Sequence, residues 1–241
     1  MSSAQAHHEP TQDLLELTFE AFRVAHQAAS AAAEGLATSS LQVLRSIRER
    51  EKELDTLDRD IDDLVTSYIT RVPEANAREL LACMKLAPSL ERIGDLLLSF
   101  ANRAEASSAQ MDGEDLRELT TMASHLERML VSVEVAFRER NLDRAIGVLR
   151  ADGEIDRLRN VITFRHLELT DGERRTESFH ILFMAQELER AGDHAKNMAE
   201  EVCHLVSGRT VRHVLRSYDR SVEQLFLEHL REQHAIIDPS H

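Results

Sequence analysis

The chain has 241 residues, with 43 Asp plus Glu against 29 Lys plus Arg, a formal net charge of −14 and no Trp. Such acidity repels nucleic-acid phosphates and favours cations or a basic protein face as partners. Few Gly and Pro in a background rich in good helix formers describe an all-α chain, and no apolar run reaches the length of a membrane span.

Residues 1–11 read as a polar lead without the apolar stretch of a signal peptide, so the chain is expected to be cytoplasmic. A first helix is predicted over 11–34, with Leu15, Phe19, Phe22 and Ala29 on one face and Gly35 interrupting it. A second covers 39–71. Its apolar stripe of Leu54, Leu57, Ile61, Leu64 and Tyr68 is spaced like a bundle seam, and Pro73 ends it. A third spans 74–107, where Pro88 should kink it locally. Asp112 and Gly113 mark a break. The next helix, over 114–139, turns Leu119, Met122, Leu126, Met129, Val133 and Phe137 inward. Another covers 142–169, and Thr170-Asp171-Gly172 reads as a turn. The last long helix runs over 174–207 and stops at Gly208. Cys83 and Cys203 have no zinc-ligand spacing and read as free thiols.

The phrase Leu-Glu-Arg-x-Gly-Asp occurs at 90–95 and again at 188–193, 98 residues later. Its flanks agree as well: Glu79 with Glu177, Ala87 with Ala185, Ala101 with Ala199. The expected fold is therefore a tandem repeat of two up-down-up three-helix bundles, six long helices in all. The units are 12–107 and 112–213. Residues 214–241 are expected to form a C-terminal helical tail whose apolar positions include Val214, Leu215, Tyr218, Val222, Leu225 and Leu230.

Each repeated phrase sets a Glu and an Asp four residues apart on one helix face: Glu91 with Asp95, and Glu189 with Asp193. The preceding helix of each unit carries a matching pair, Glu51 with Asp55 and Asp152 with Asp156. The antiparallel register makes these pairs informative. Asp55 is 18 residues before Pro73 and Glu91 is 18 after; Glu51 is 22 before and Asp95 is 22 after. Helices rise equally per residue, so Glu51 should stand level with Asp95 and Asp55 with Glu91. Counted from Gly172, the second unit repeats the arrangement to within one residue.

Four carboxylates at one height repel one another unless a cation intervenes, and hard oxygen donors suit Mg, Ca, Mn or iron ions. The plainer alternative is that each pair belongs to a separate solvated face bridged by arginines. A glycine inside a helix costs about 1 kcal/mol against alanine. Gly94 and Gly192 therefore suggest close approach of a backbone or a ligand. His194 follows Asp193 and is a possible extra metal ligand. The Glu-x-x-His spacings at 177–180 and 201–204 share one helix and are too far apart to build a di-iron site.

The repeated units, Leu-Glu-Arg-Ile-Gly-Asp, Leu-Glu-Arg-Ala-Gly-Asp-His-Ala, the middle-helix acids and Val211-Arg212-His213 together resemble the PhoU family, regulators of phosphate uptake. The resemblance covers nearly all of residues 12–213. It implies multinuclear metal binding by Glu51, Asp55, Glu91, Asp95, Asp152, Asp156, Glu189 and Asp193, with Mg, Mn, Fe, Ca or Zn left open. It implies a non-enzymatic negative regulator of a membrane phosphate ABC transporter and its sensor histidine kinase, peripheral to the membrane through proteins, and a homo-oligomer, a dimer. An accessory subunit of another phosphate transporter and a carboxylate-bridged metalloenzyme are the alternatives. Leu96-Leu97-Leu98 follow Asp95 where His194, Ala195 and Asn197 follow Asp193. On that difference, and on Pro88, the second metal site is expected to be the tighter one.

Overall fold

The computed structural model describes residues 10–107, 111–168 and 175–208, and these are helical almost throughout. Its helices are α1 (Pro10–Ala37), α2 (Leu41–Arg45), α3 (Ile47–Tyr68), α4 (Glu74–Ser107), α5 (Gly113–Glu139), α6 (Leu142–Glu168) and α7 (Arg175–Ser207). Six are long, as expected. The lead, the turn at Thr170-Asp171-Gly172, Val211-Arg212-His213 and the 214–241 tail lie outside the described residues.

Two boundaries differ from expectation. Gly35 does not interrupt the first helix; α1 runs through it to Ala37. The glycine instead admits the short α2. A Cβ there would lie 2.7 Å from Leu44 Cδ2 and 3.2 Å from the Leu44 backbone nitrogen. The second predicted helix is split at Ser46, so that α2 turns in over α1 before α3 begins. Ser40 caps α2 by accepting from the Val43 amide. Pro88 sits inside α4, and the helix passes through it without a break.

Within each half the long helices pack on one another: α1, α3 and α4 in the first, α5, α6 and α7 in the second. The halves join through like helices, α4 on α7 and α1 on α5. Both pairs run antiparallel. Lys85 meets Glu201 near the start of α4, and Arg103 meets Glu187 near its end. On the other pair, Phe137 packs against Phe19 and Phe22 with ring centroids 5.5 and 6.3 Å apart, while His26 reaches Glu127. Thus α1, α4, α7 and α5 close into a four-helix square. Helix α3 buttresses its α1/α4 edge, and α6 the opposite α5/α7 edge. One apolar core runs through both halves. Phe22, Phe100, Phe137, Leu90, Leu126 and Leu188 are among its fully buried side chains. Both cysteines are buried in that core as free thiols.

Candidate metal centre

The α3/α4 seam holds the first acid ladder. Leu54, Leu57, Ile61 and Val65 bury one stripe of α3. The acids at 51, 55, 58 and 62 lie on the stripe beside it, at helical steps of four, three and four. Gly94 brings the two backbones together: a Cβ there would lie 2.7 Å from Leu54 Cδ1 and 3.7 Å from Glu51 Cα. The close approach expected at this glycine is thus that of a neighbouring helix. Arg48 donates to Asn102 at 3.2 Å and fixes the same register farther along.

The register places the carboxylates where the count from Pro73 puts them. Burial raises the Glu51 carboxyl above the ordinary carboxylate range, and the charges of Asp95 and Asp55 raise it further. Burial raises Glu91 too, with Asp95, Asp58 and Asp55 adding to the effect against Arg92. Asp58 is raised by burial and then by Asp62 and Asp55. Five carboxylates on two helices therefore act on one another across the seam. Arginines make ion pairs with them along their own helices, and Arg92 of α4 also acts on Asp58 across the seam. Arg59 lies 2.8 Å from Asp55, and Arg92 lies 3.0 Å from Asp95 and 3.5 Å from Glu91. Both arginine side chains are more than 60% exposed. Sequence reasoning missed Asp58. It lies three residues past Asp55 on the same stripe and was legible by extending the i,i+4 search to i,i+7.

The α6/α7 seam is built differently. Asp156 and Glu189 are partly buried and Asp193 is exposed; the side chain of Asp152 lies outside the described residues. Arg159 Nη2 crosses from α6 to stand 3.6 Å from Glu189 Oε1. Gln186, which replaces Pro88 in the repeat, donates to the other Glu189 oxygen at 2.5 Å. His194 is half-buried; burial lowers its pKa, as do Arg190 and then Arg92 of the first half, against Asp193. Charges of both halves therefore act on it.

Carboxylate oxygens from two helices at one height are the donor chemistry of a hard-cation site, and the first seam has that set. Among the described residues no three His, Cys, Asp or Glu side chains converge on a single point. Like charges that raise one another stand apart, and their backbones set the common height. The second seam, with a guanidinium at Glu189, does not fit a cation in the same way.

Two antiparallel-docked three-helix units, the first with an acid ladder on its outer seam, define a tandem-repeat helical protein. The family model described as "PhoU domain" matches residues 18–104 and 110–202. The chain is 32% identical over 205 residues to a phosphate-specific transport system accessory protein PhoU homolog of Caulobacter vibrioides, covering 82% of this chain and 89% of that one. A protein of the same name from Zymomonas mobilis is 30% identical over 191 residues, covering 77% and 80%. The crystal structure of PhoU from Pseudomonas aeruginosa superposes with a TM-score of 0.77 at 24% identity, covering 83% of this chain and 98% of that one. The chain belongs to the PhoU family. No described helix is long and apolar enough to cross a membrane.

Proposed function

We propose that the chain regulates phosphate uptake as a metal-binding cytoplasmic adaptor. On this reading it restrains a membrane phosphate ABC transporter and the associated sensor histidine kinase by contact, not by catalysis, and works as a homodimer. Family membership supports the phosphate-transport part. The relatives are named as transport-system accessory proteins and not as enzymes. The observation that carries the metal part is the α3/α4 seam, where Glu51, Asp55, Glu91 and Asp95 oppose one another at one height with Asp58 beside them. Like-charge pairs at helical spacing each cost a few tenths of a kcal/mol. A cation turns that cost into attraction. Glu51 and Asp55 would hold it from α3, Glu91 and Asp95 from α4. When bound, it supplies charge neutralisation and a cross-link between two helices. Asp58 acts on Glu91 from the α3 side and strengthens the field the ion meets.

The test has two parts. Deleting the protein should switch on phosphate-starvation genes in phosphate-rich medium, and the tagged protein should co-purify with a phosphate transporter. Elemental analysis should find divalent or ferric ions that are reduced in Glu91→Ala with Asp95→Ala. Normal repression in the deletion strain removes the regulatory reading. Unchanged metal content in the double variant removes the metal reading.

A further inference from the structure

We propose, resting on the metal reading of the first seam, that the second seam carries its own counterion: Arg159 stands in place of the ion, and the chain binds metal in its first unit alone. The repeat itself shows the exchange. Residues 54, 55, 57 and 61 align with 155, 156, 158 and 162 at an offset of 101, which sets Asp58 against Arg159. Spatial roles follow the alignment. Asp58 acts on Glu91 across the first seam, and Arg159 contacts Glu189, the equivalent of Glu91, across the second.

A guanidinium is a permanent cation with planar donors, and it cannot be discharged in the physiological range. Two further details hold this one in the seam. Its side chain is only 31% exposed, and its Nη1 donates to Asn160 Oδ1 at 2.8 Å. Glu189 also has both oxygens engaged, Oε1 by Arg159 and Oε2 by Gln186. An incoming metal ion would have to displace both donors and stand beside a fixed positive charge. The helices as wholes carry the same difference. Helix α3 has eight acids and four bases, whereas α6 has five of each. The first-seam arginines are more exposed: Arg59 and Arg92 make their ion pairs along their own helices with side chains 67% and 63% exposed, and Arg92 acts on Asp58 across the seam without an ion pair to it.

The experiment is a Mn²⁺ titration of the full chain by calorimetry and electron paramagnetic resonance, on metal-stripped protein. Wild type should show a single class of sites. Glu91→Ala with Asp95→Ala should abolish it, and Glu189→Ala with Asp193→Ala should leave its affinity as in wild type. Arg159→Asp should add a second class. The reciprocal variant Asp58→Arg adds an arginine to the first seam and should weaken Mn²⁺ binding at least about tenfold, because affinity follows the ligand charge count. It should also raise the thermal midpoint of the metal-free protein. Asp58→Arg decides the matter even where Arg159→Asp fails to fold. Loss of Mn²⁺ in the Glu189/Asp193 variant, or wild-type binding in Asp58→Arg, overturns the inference while leaving the metal reading intact. No Mn²⁺ uptake by wild type overturns both.

Discussion

Replacing Arg103 with alanine should loosen the junction between the two halves more than any other single change on the α4/α7 contact. Arg103 Nε donates to Glu187 Oε1 at 2.9 Å, and its guanidinium lies 4.4 Å from the centroid of the Phe183 ring. Glu187 is 7% exposed. Ser99 donates to the same Oε1, and Oε2 is buried without a hydrogen-bond partner among the described residues. Removing the arginine leaves that carboxylate with one hydroxyl. Stranding one member of a fully buried pair costs about 3–5 kcal/mol. Arg103 is about a third exposed, so water reaches the vacated side and a screened cost of about 2 kcal/mol applies. The lost stack on Phe183 adds about 0.5–1 kcal/mol. The expected total of about 3 kcal/mol corresponds to a fall in Tm of about 6–12 °C for a chain of this size. Scanning calorimetry on metal-free protein measures it. Adding Glu187→Leu to Arg103→Ala should recover most of the loss, because the orphaned charge is gone. A single-variant loss below about 1 kcal/mol, or a double variant less stable than the single, refutes the assignment of a buried polar anchor.

The acid seam makes a signed prediction about pH. Glu51 and Glu91 are held above their ordinary value of 4.5, so the folded protein takes up protons more readily than the unfolded chain. Metal-free protein should gain stability from these groups as pH falls from neutral through the raised values toward 4.5, with no further gain below. Glu51→Gln should raise Tm at neutral pH and shrink that gain, and an unchanged Tm–pH profile counts against it. Burial pushes Cys83 up to about 11 and Cys203 up to about 12, so both stay protonated at pH 8. Thiol reagents should label them only on unfolding, and rapid labelling of either in native protein defeats the claim. In the first turn of α5, buried Asp115 binds Arg165 and the His166 ring, which also meets Ser178. Asp115→Ala should cost about 3–5 kcal/mol in urea denaturation, and a loss below about 1 kcal/mol contradicts that network.

Much of the architecture was readable because helix periodicity and the Leu-Glu-Arg-x-Gly-Asp repeat reinforce each other. The seam residues Leu54, Leu57 and Ile61 are buried, and the count from Pro73 put Glu51 beside Asp95 and Asp55 beside Glu91. Rise per residue is a property of any helix, so height is legible from sequence. Rotation is set by packing, so the reach of Arg92 on α4 to His194 of the other half was not legible. Gly35 was read as a breaker because propensity alone disfavours it, yet Leu44 needs the space its missing Cβ leaves. Arg159 was passed over because the search was for carboxylates, and a cation at the matching position is invisible to a pattern made of acids. Comparing the two halves residue by residue past Asp55 would have found it.

The antiparallel docking of like helices carries a historical consequence. Shifting the Lys85–Glu201 contact by the 98-residue repeat gives Phe183 and Arg103, which is the cation–π pair at the other end of the same helices. Contacts that map onto each other under exchange of partners are what a twofold axis imposes on two identical chains. The fold therefore has the form of a symmetric dimer whose subunits have been joined end to end. In such a dimer every substitution appears twice, and a change that ruins one site ruins both. Fusion removes that coupling. A lysine can become a phenylalanine, or an aspartate an arginine, in one half alone, leaving the other half to keep the ancestral chemistry while its twin takes up a different task.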